Sequence, residues 1–293
     1  MKAHLALFSV NLIYALSYGI SKEVMEGYIP SSLFILFRVL GAGILFWLFF
    51  FKSEKIQPLD YFKIALAAAF GIAFNKLLLY EGLANTTAIN TSIIMVSSPI
   101  LVLIIASILL RERLSSLKIL GVFIGLTGAV SLILFGGKTT DGSVNWYGDA
   151  LILLNATLYS FYLVIIKPLM KKYSPYTFVK WAFTFGLIYV LPFGLMQLPN
   201  ANFEMPLHII LKIIAVVFFA TFCTYLFTVY AITKVSPTVV SSYIYLQPIF
   251  ATFFGIYFGK EDISLFKIGC GAAIFIGVYL IGHTTKKEVI SNV

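Results

Sequence analysis

Stretches of about twenty apolar residues, separated by short polar gaps, decide what this chain can fold into. An α-helix rises 1.5 Å per residue, so a stretch of that length matches the roughly 30 Å hydrocarbon core of a bilayer. Ten such stretches occur: Ala3–Ser21, Pro30–Phe51, Tyr61–Tyr80, Ala88–Leu110, Leu117–Phe135, Gly148–Ile166, Tyr176–Leu198, Leu207–Ala231, Thr238–Phe258 and Leu265–His283. The longest polar gap, Gly136 to Tyr147, falls near the middle of the chain. Single segments in lipid must satisfy their own backbone hydrogen bonds, which selects helices. The expectation is an all-α integral membrane protein with ten transmembrane helices. Only 11% of the residues are charged and 60% are hydrophobic, whereas a soluble domain carries about a quarter charged.

The formal net charge of +9 could suggest nucleic-acid binding on a soluble chain. Here the basic residues lie in the gaps between apolar runs, so they read as orientation signals and headgroup contacts, and no nucleic-acid partner is expected. With alternating spans and the N-terminus inside, fourteen of the 21 Lys and Arg fall on the inner side. Five fall outside (Lys22, Lys138, Lys212, Lys260 and Lys267), and Arg38 and Lys76 lie within spans. The excess of Lys and Arg on one side makes both termini cytoplasmic and leaves residues 284–293 as a cytoplasmic tail. The start, Met1-Lys2 and an apolar run, has the outline of a signal peptide, but no small-x-small cleavage site follows and it is taken as the first span. Cys223 and Cys270 lie inside apolar segments and read as packing residues.

The chain repeats itself. Ser98-Pro99-Ile100 aligns with Gln247-Pro248-Ile249, Glu112 with Glu261, Leu114-Ser115 with Ile263-Ser264, Lys118 with Lys267 and Gly128 with Gly277, all at an offset of 149 residues. At slightly different offsets, Tyr80 matches Tyr230, and Asn11 and Tyr18 match Asn155 and Tyr162. These matches divide the chain into two five-helix units, residues 1–136 and 148–283. Five crossings are odd, so the second unit enters the membrane upside down relative to the first. Inverted repeats give one unit two surroundings and let a central site open to either side in turn.

Several of these residues carry a resemblance to a known family. Pro99 and Pro248 stand inside the fourth and ninth stretches; each is followed by an acid before a short Leu/Ile-Ser turn (Arg111-Glu112-Arg113-Leu114-Ser115 and Lys260-Glu261-Asp262-Ile263-Ser264), then by a Gly/Ala-rich span, while Arg38 stands in the second span. The plan resembles the drug/metabolite transporter superfamily, specifically its EamA-type members, across nearly the whole chain. That resemblance implies a pore between the halves, lined by spans one, three, four, six, eight and nine, with metabolite export as the common activity. Small multidrug members of the superfamily use a glutamate in the first span, and Ala3–Ser21 contains no acid. Drug/proton antiport through such a residue is therefore not expected.

Candidate solute-binding residues follow from polar groups at membrane depth. Arg38 and Lys76 lie roughly 12 Å and roughly 10 Å below the outer surface at 1.5 Å per residue, so the two cations share a level. They read either as an electropositive spot for a carboxylate or phosphate, with Lys76 on the expected pore-lining span, or as internally paired groups, Arg38 with a backbone carbonyl or Glu81. Asn11, Tyr14 and Tyr18 recur on one helical face, as do Asn155, Tyr159 and Tyr162 in the sixth span. Tyrosine offers a flat apolar face and one hydroxyl, which suits an amphipathic solute, although Asn and Tyr also bridge helices in lipid. Tyr80, Asn90, Ser98, Tyr225, Ser242, Tyr245 and Gln247 complete the binding set, with Asn75, Thr221 and Thr224 as weaker pore-lining candidates.

Pro99 and Pro248 each remove a helix hydrogen bond and read as kinks that bend during gating. Glu112 and Glu261, beside Arg or Lys at helix ends, read as surface ion pairs, and Arg38 as structural or gating. Gly121, Gly125 and Ala129, with Gly269, Ala273 and Gly277, place small residues four apart for close helix packing.

His4, His208 and His283 have no metal-ligand spacing, and no phosphate loop or Ser-His-Asp grouping occurs, so neither catalysis, metal nor cofactor is expected. The function expected is secondary transport by alternating access, in the export direction, of a small polar or amphipathic metabolite such as an amino acid or nucleoside, across a bacterial-type inner membrane. The partners are that solute and the lipid bilayer, and the sequence leaves monomer and dimer open. The alternatives are a non-transporting membrane receptor or assembly protein and, behind these, a membrane enzyme.

Overall fold

A computed structural model of the chain describes residues 1–50, 54–85, 91, 94–112, 114–135, 146–257 and 265–291. The protein is all-α, with no strand among the described residues. The helices are α1 (Lys2–Gly27), α2 (Ser31–Phe49), α3 (Pro58–Ala68), α4 (Phe74–Asn85), α5 (Ser98–Leu109), α6 (Ser116–Phe135), α7 (Trp146–Leu169), α8 (Pro175–Met196), α9 (Leu207–Val217), α10 (Thr224–Lys234), α11 (Pro237–Ser242), α12 (Leu246–Tyr257) and α13 (Leu265–Ser291). Among the described residues, six continuous helical stretches are long and apolar enough to cross a bilayer, Pro58–Leu83 and Leu207–Lys234 among them, and three shorter apolar helices accompany them. The chain is a multi-pass membrane protein.

Its exposed surface shows why lipid is the solvent. Leu5, Leu48, Phe49, Ile108, Leu153, Ile188, Leu211, Ile214, Phe253, Ile268 and Tyr279 all stand out from the helices. Water would expel such a coat; hydrocarbon accommodates it. Helix ends carry ordinary stop and start signals. Pro58 and Pro175 occupy first-turn positions, where their missing N–H costs nothing, and the Ser174 and Ser236 hydroxyls cap α8 and α11 by accepting from Thr177 N and Val239 N.

The chain forms two compact units. Unit 1 comprises Met1–Glu81 and Ile165–Lys234, and unit 2 comprises Gly82–Val164 and Val235–Val293. Each unit draws on both halves of the sequence. In unit 1, α2 packs along α8, α1 along α10, and α3 against α8. A Cβ on Gly194 would meet Leu36 at 2.6 Å, and one on Gly186 would meet Ile72 at the same distance, so both glycines are required by close approach. In unit 2, α6 and α13 lie backbone to backbone. A Cβ on Gly121 would stand 2.8 Å from Gly277 O, and one on Gly277 would stand 2.6 Å from Gly121 O. A Cβ on Gly128 would meet Ala273 and the Cys270 carbonyl at 3.0 Å, whereas one on Gly269, of the same small-residue series, would face open space.

Two helices contain a widened turn that the sequence does not announce. A π-helical turn at Ala69–Ala73 joins α3 to α4, and another at Phe218–Cys223 joins α9 to α10. Their starts are 149 residues apart, the same offset at which the sequence repeats. A π-turn inserts one residue into the helical ladder and leaves carbonyls needing another donor.

Candidate functional site

The π-turns organise the polar centre of unit 1. Gly71 O, in the first turn, accepts the Tyr225 hydroxyl at 2.6 Å. Ala220 O, the residue 149 positions later, accepts Arg38 Nη2 at 3.1 Å and the Thr224 hydroxyl at 3.0 Å. The Thr221 hydroxyl donates to Val216 O at 3.3 Å, covering another carbonyl that the widened turn releases. Equivalent backbone groups in the two sequence halves are thus satisfied by side chains from elsewhere in the same unit.

Arg38 projects from α2 and is buried. Its Nε donates to Thr221 Oγ1 at 2.9 Å and its Nη1 to Tyr80 Oη at 2.8 Å, and its Cζ lies 5.7 Å from the centre of the Phe34 ring. Lys76, half-buried on α4, holds its Nζ 5.6 Å from the centre of the Tyr14 ring. Arg38 and Lys76 border one narrow cavity together with Ile35, Val39, Ile72, Thr221 and Tyr225. Its volume of about 10 Å³ is room for about one water molecule. Among the described residues neither cation forms an ion pair. Glu81, a partner considered for Arg38 from the sequence, is exposed, and Arg38 instead binds hydroxyls and the Ala220 carbonyl.

The sequence candidates fall into the two units. Unit 1 holds Asn11, whose amide donates to Leu7 O at 2.8 Å, with Tyr14, Arg38, Lys76, Tyr80 and Tyr225. It brings the last five into one neighbourhood, through the contacts above and the closeness of Tyr14 to Arg38, Tyr80 and Thr224. The helix at Tyr18 belongs to the same unit; its side chain, like Asn90 and Glu261 entirely, lies outside the described residues. Asn75, buried next to Lys76, also belongs there.

Unit 2 holds the others. Asn155 and Tyr162 are buried on α7, and the Tyr159 ring centre lies 6.1 Å from that of Tyr162. Ser98 donates to Met95 O at 2.7 Å, and that carbonyl is the one Pro99 cannot serve, so the serine repairs the proline break at which α5 begins. In the matching segment, Ser242 donates to Val239 O at 2.8 Å, the chain narrows to a 3-10 turn at Tyr243–Tyr245, and α12 then carries Gln247 and Pro248. Tyr245 is wholly buried, with its ring against Gly125 and its hydroxyl donating to Val122 O at 3.2 Å. Glu112 does form an ion pair, with Lys118 at 3.1 Å, but that lysine is fully buried, so the contact is internal.

Sequence reasoning missed the π-turns and therefore the part played by Thr221. Apolar helix continues through both turns without Pro, and the sole trace in the sequence is that Thr221, Thr224 and Tyr225 stand 149 residues after Ile72, Asn75 and Lys76.

A second cluster lies at the other end of α3. Asp60, 1% exposed, accepts from Lys63 Nζ, Lys172 Nζ and Tyr173 Oη, each at 2.9 Å. Glu54 accepts Ser174 N at 2.8 Å beside it. The hydrogen bond to Asp60 holds the Lys172 ammonium above its ordinary pKa. These bonds tie the first turn of α3 and the segment before it to the turn between α7 and α8.

Comparisons with known proteins agree with this architecture. An uncharacterized transporter of Archaeoglobus fulgidus is 27% identical over 293 residues, covering 98% of both chains. The uncharacterized transporter YetK of Bacillus subtilis is 25% identical over 98% of this chain and 88% of its own. A crystal structure sharing 17% identity superposes with a TM-score of 0.75 over 97% of this chain and 98% of that one, which shows a common fold. The sequence profile of the EamA-like transporter family matches twice, at residues 1–134 and 146–282. The chain belongs to the EamA-like transporter family.

Proposed function

We propose that the protein is a secondary transporter that moves a small polar or amphipathic metabolite out of a bacterial-type cell by alternating access. In this reading the repeats 1–136 and 148–283 cross the membrane five times each with opposite orientation, ten spans in all, and both termini are cytoplasmic. The observation that carries it is the return of the π-turn at the offset of the sequence repeat, with Gly71 O and Ala220 O each held by a side chain remote in sequence. One local geometry built twice is what a pair of exchanging conformations needs, since each copy can adopt the surroundings of the other. Asn11, Tyr14, Lys76 and Tyr80 of unit 1 are the side chains assigned to the solute. The apolar stretch Ala3–Ser21 has no acid, so movement is facilitated or coupled through a group other than a carboxylate in that stretch.

The test is flux through purified protein in liposomes, screened with labelled amino acids, nucleosides and organic anions. Saturable movement of one class supports the proposal. Binding without flux would assign the chain to a receptor or assembly role.

A further inference from the structure

The cavity of unit 1 has an unusual balance of hydrogen-bonding groups. Arginine carries five N–H donors and lysine three. Arg38 spends three of its five on Thr221, Tyr80 and Ala220, and Lys76 makes no hydrogen bond among the described residues. Three backbone acceptors nearby are already engaged: Gly71 O by Tyr225, Ala220 O by Arg38 and Thr224, and Val216 O by Thr221. What faces the cavity is an excess of donors carrying two positive charges at membrane depth. An unneutralised pair of cations there is costly and calls for a partner with acceptors only and negative charge.

We propose that the cleft between Arg38 and Lys76 takes the carboxylate head of an amphipathic organic acid, the transported solute of the reading above. One carboxylate oxygen would sit in the cavity, within reach of the spare guanidinium donors and the Lys76 ammonium. Charge-assisted bonds of this kind are roughly twice as strong as neutral ones, and the planar guanidinium fork matches a carboxylate. The remaining lining favours an organic acid over a bare inorganic ion. Ile35, Val39 and Ile72 are apolar, and the Tyr14 ring that carries the Lys76 ammonium on its face offers a flat surface for the solute body. An amine would be repelled, and an alcohol would leave both charges uncompensated.

The test compares 3-phenylpropionate, 3-phenylpropylamine and 3-phenylpropanol, three probes with one body and different heads, by titration calorimetry on the purified full chain in lipid nanodiscs. The carboxylate should bind and the other two should bind at least about tenfold more weakly, the loss of one charge-assisted contact. Lys76→Gln should weaken 3-phenylpropionate by about tenfold, whereas Lys76→Arg should keep it within about threefold. Lys76→Gln removes a lone cation from a membrane segment and so relieves a cost, and Lys76→Arg keeps the charge already accommodated there, so both variants should fold. Equal binding of the three probes, or unchanged affinity in Lys76→Gln, would overturn the assignment. So would chloride binding as tightly as the carboxylate, which would make this a halide site. The liposome flux assay keeps the two proposals separate. Head-group selectivity without flux leaves the site standing and removes transport; flux without head-group selectivity does the reverse.

Discussion

Lys76 and Tyr225 stand 149 residues apart, each seven residues after the start of a π-turn, and both border the cavity that Arg38 closes. At equivalent places in two repeats, one half therefore supplies a cation and the other a phenol. The phenol is committed to the opposite turn through Gly71 O, and the cation is not committed to any acceptor among the described residues. The phenol thus has a structural part, and the proposal above assigns the cation to the solute.

Arg38 is the strut of the arrangement. Arg38→Ala leaves Thr221, Tyr80 and Ala220 O without their shared donor and should cost about 1–3 kcal/mol, seen as a lower Tm in detergent. Arg38→Lys should recover only part, because an ammonium cannot present the guanidinium fork to three acceptors. An unchanged Tm in Arg38→Ala would show that the π-turn holds without it.

Tyr225→Phe removes one hydroxyl and keeps the ring against Phe183, whose centre is 5.0 Å away. Hydrogen bonds between membrane helices average about 0.6 kcal/mol, so the loss of stability should be near that size. Combined with Arg38→Ala the cost should exceed the sum of the singles, since the two side chains brace paired turns in the same unit. Strict additivity would mean that the turns are independent.

Gly277→Ala drives a methyl group to within 2.6 Å of Gly121 O and should destabilise unit 2 by about 1–3 kcal/mol. Gly269→Ala, in the same helix but facing open space, should be neutral or stabilising by up to about 1 kcal/mol through helix propensity. Thermal unfolding of the two variants side by side distinguishes close packing from mere sequence spacing.

The contrast between these glycines shows how much was readable beforehand. Spacing of four residues identified the α6 and α13 stripes, because small side chains at that interval leave a mark in any sequence. It could not show that Gly269 faces outward, since which side of a helix meets its neighbour is set by packing at a distance. The all-helical membrane fold and the family were legible from apolar length and from the motifs spaced 149 residues apart. The common depth of Arg38 and Lys76 followed from counting rise per residue, and both border one cavity. The division of labour around them did not follow, because a π-turn in lipid is built from the same apolar residues as an α-turn. A charged neighbour in sequence marks Glu112 for an ion pair but not for burial, and its partner Lys118 is enclosed.

The Asp60 cluster predicts a dependence on pH at the alkaline end. Lys172 has its pKa raised by Asp60, so it contributes stability that is fully present below the ordinary lysine value of 10.5 and is lost as pH rises through the higher folded value. Tm should therefore hold from neutral pH to about 10 and fall beyond it, and Asp60→Asn should flatten that fall while lowering Tm at neutral pH. A variant with the same alkaline slope as the parent would assign the slope to other groups.

The inverted repeat is the claim on which the transport reading rests, and labelling from the two sides of the membrane tests it. Leu59 and Leu207 are exposed at the starts of the two helical stretches that contain the π-turns. In a background with Cys223 and Cys270 replaced by Ser, single cysteines at these positions should react with an impermeant maleimide from opposite sides of intact cells and inverted vesicles, Leu59→Cys from the cytoplasm and Leu207→Cys from outside. Reaction of both from the same side would place the two halves in parallel and contradict the account.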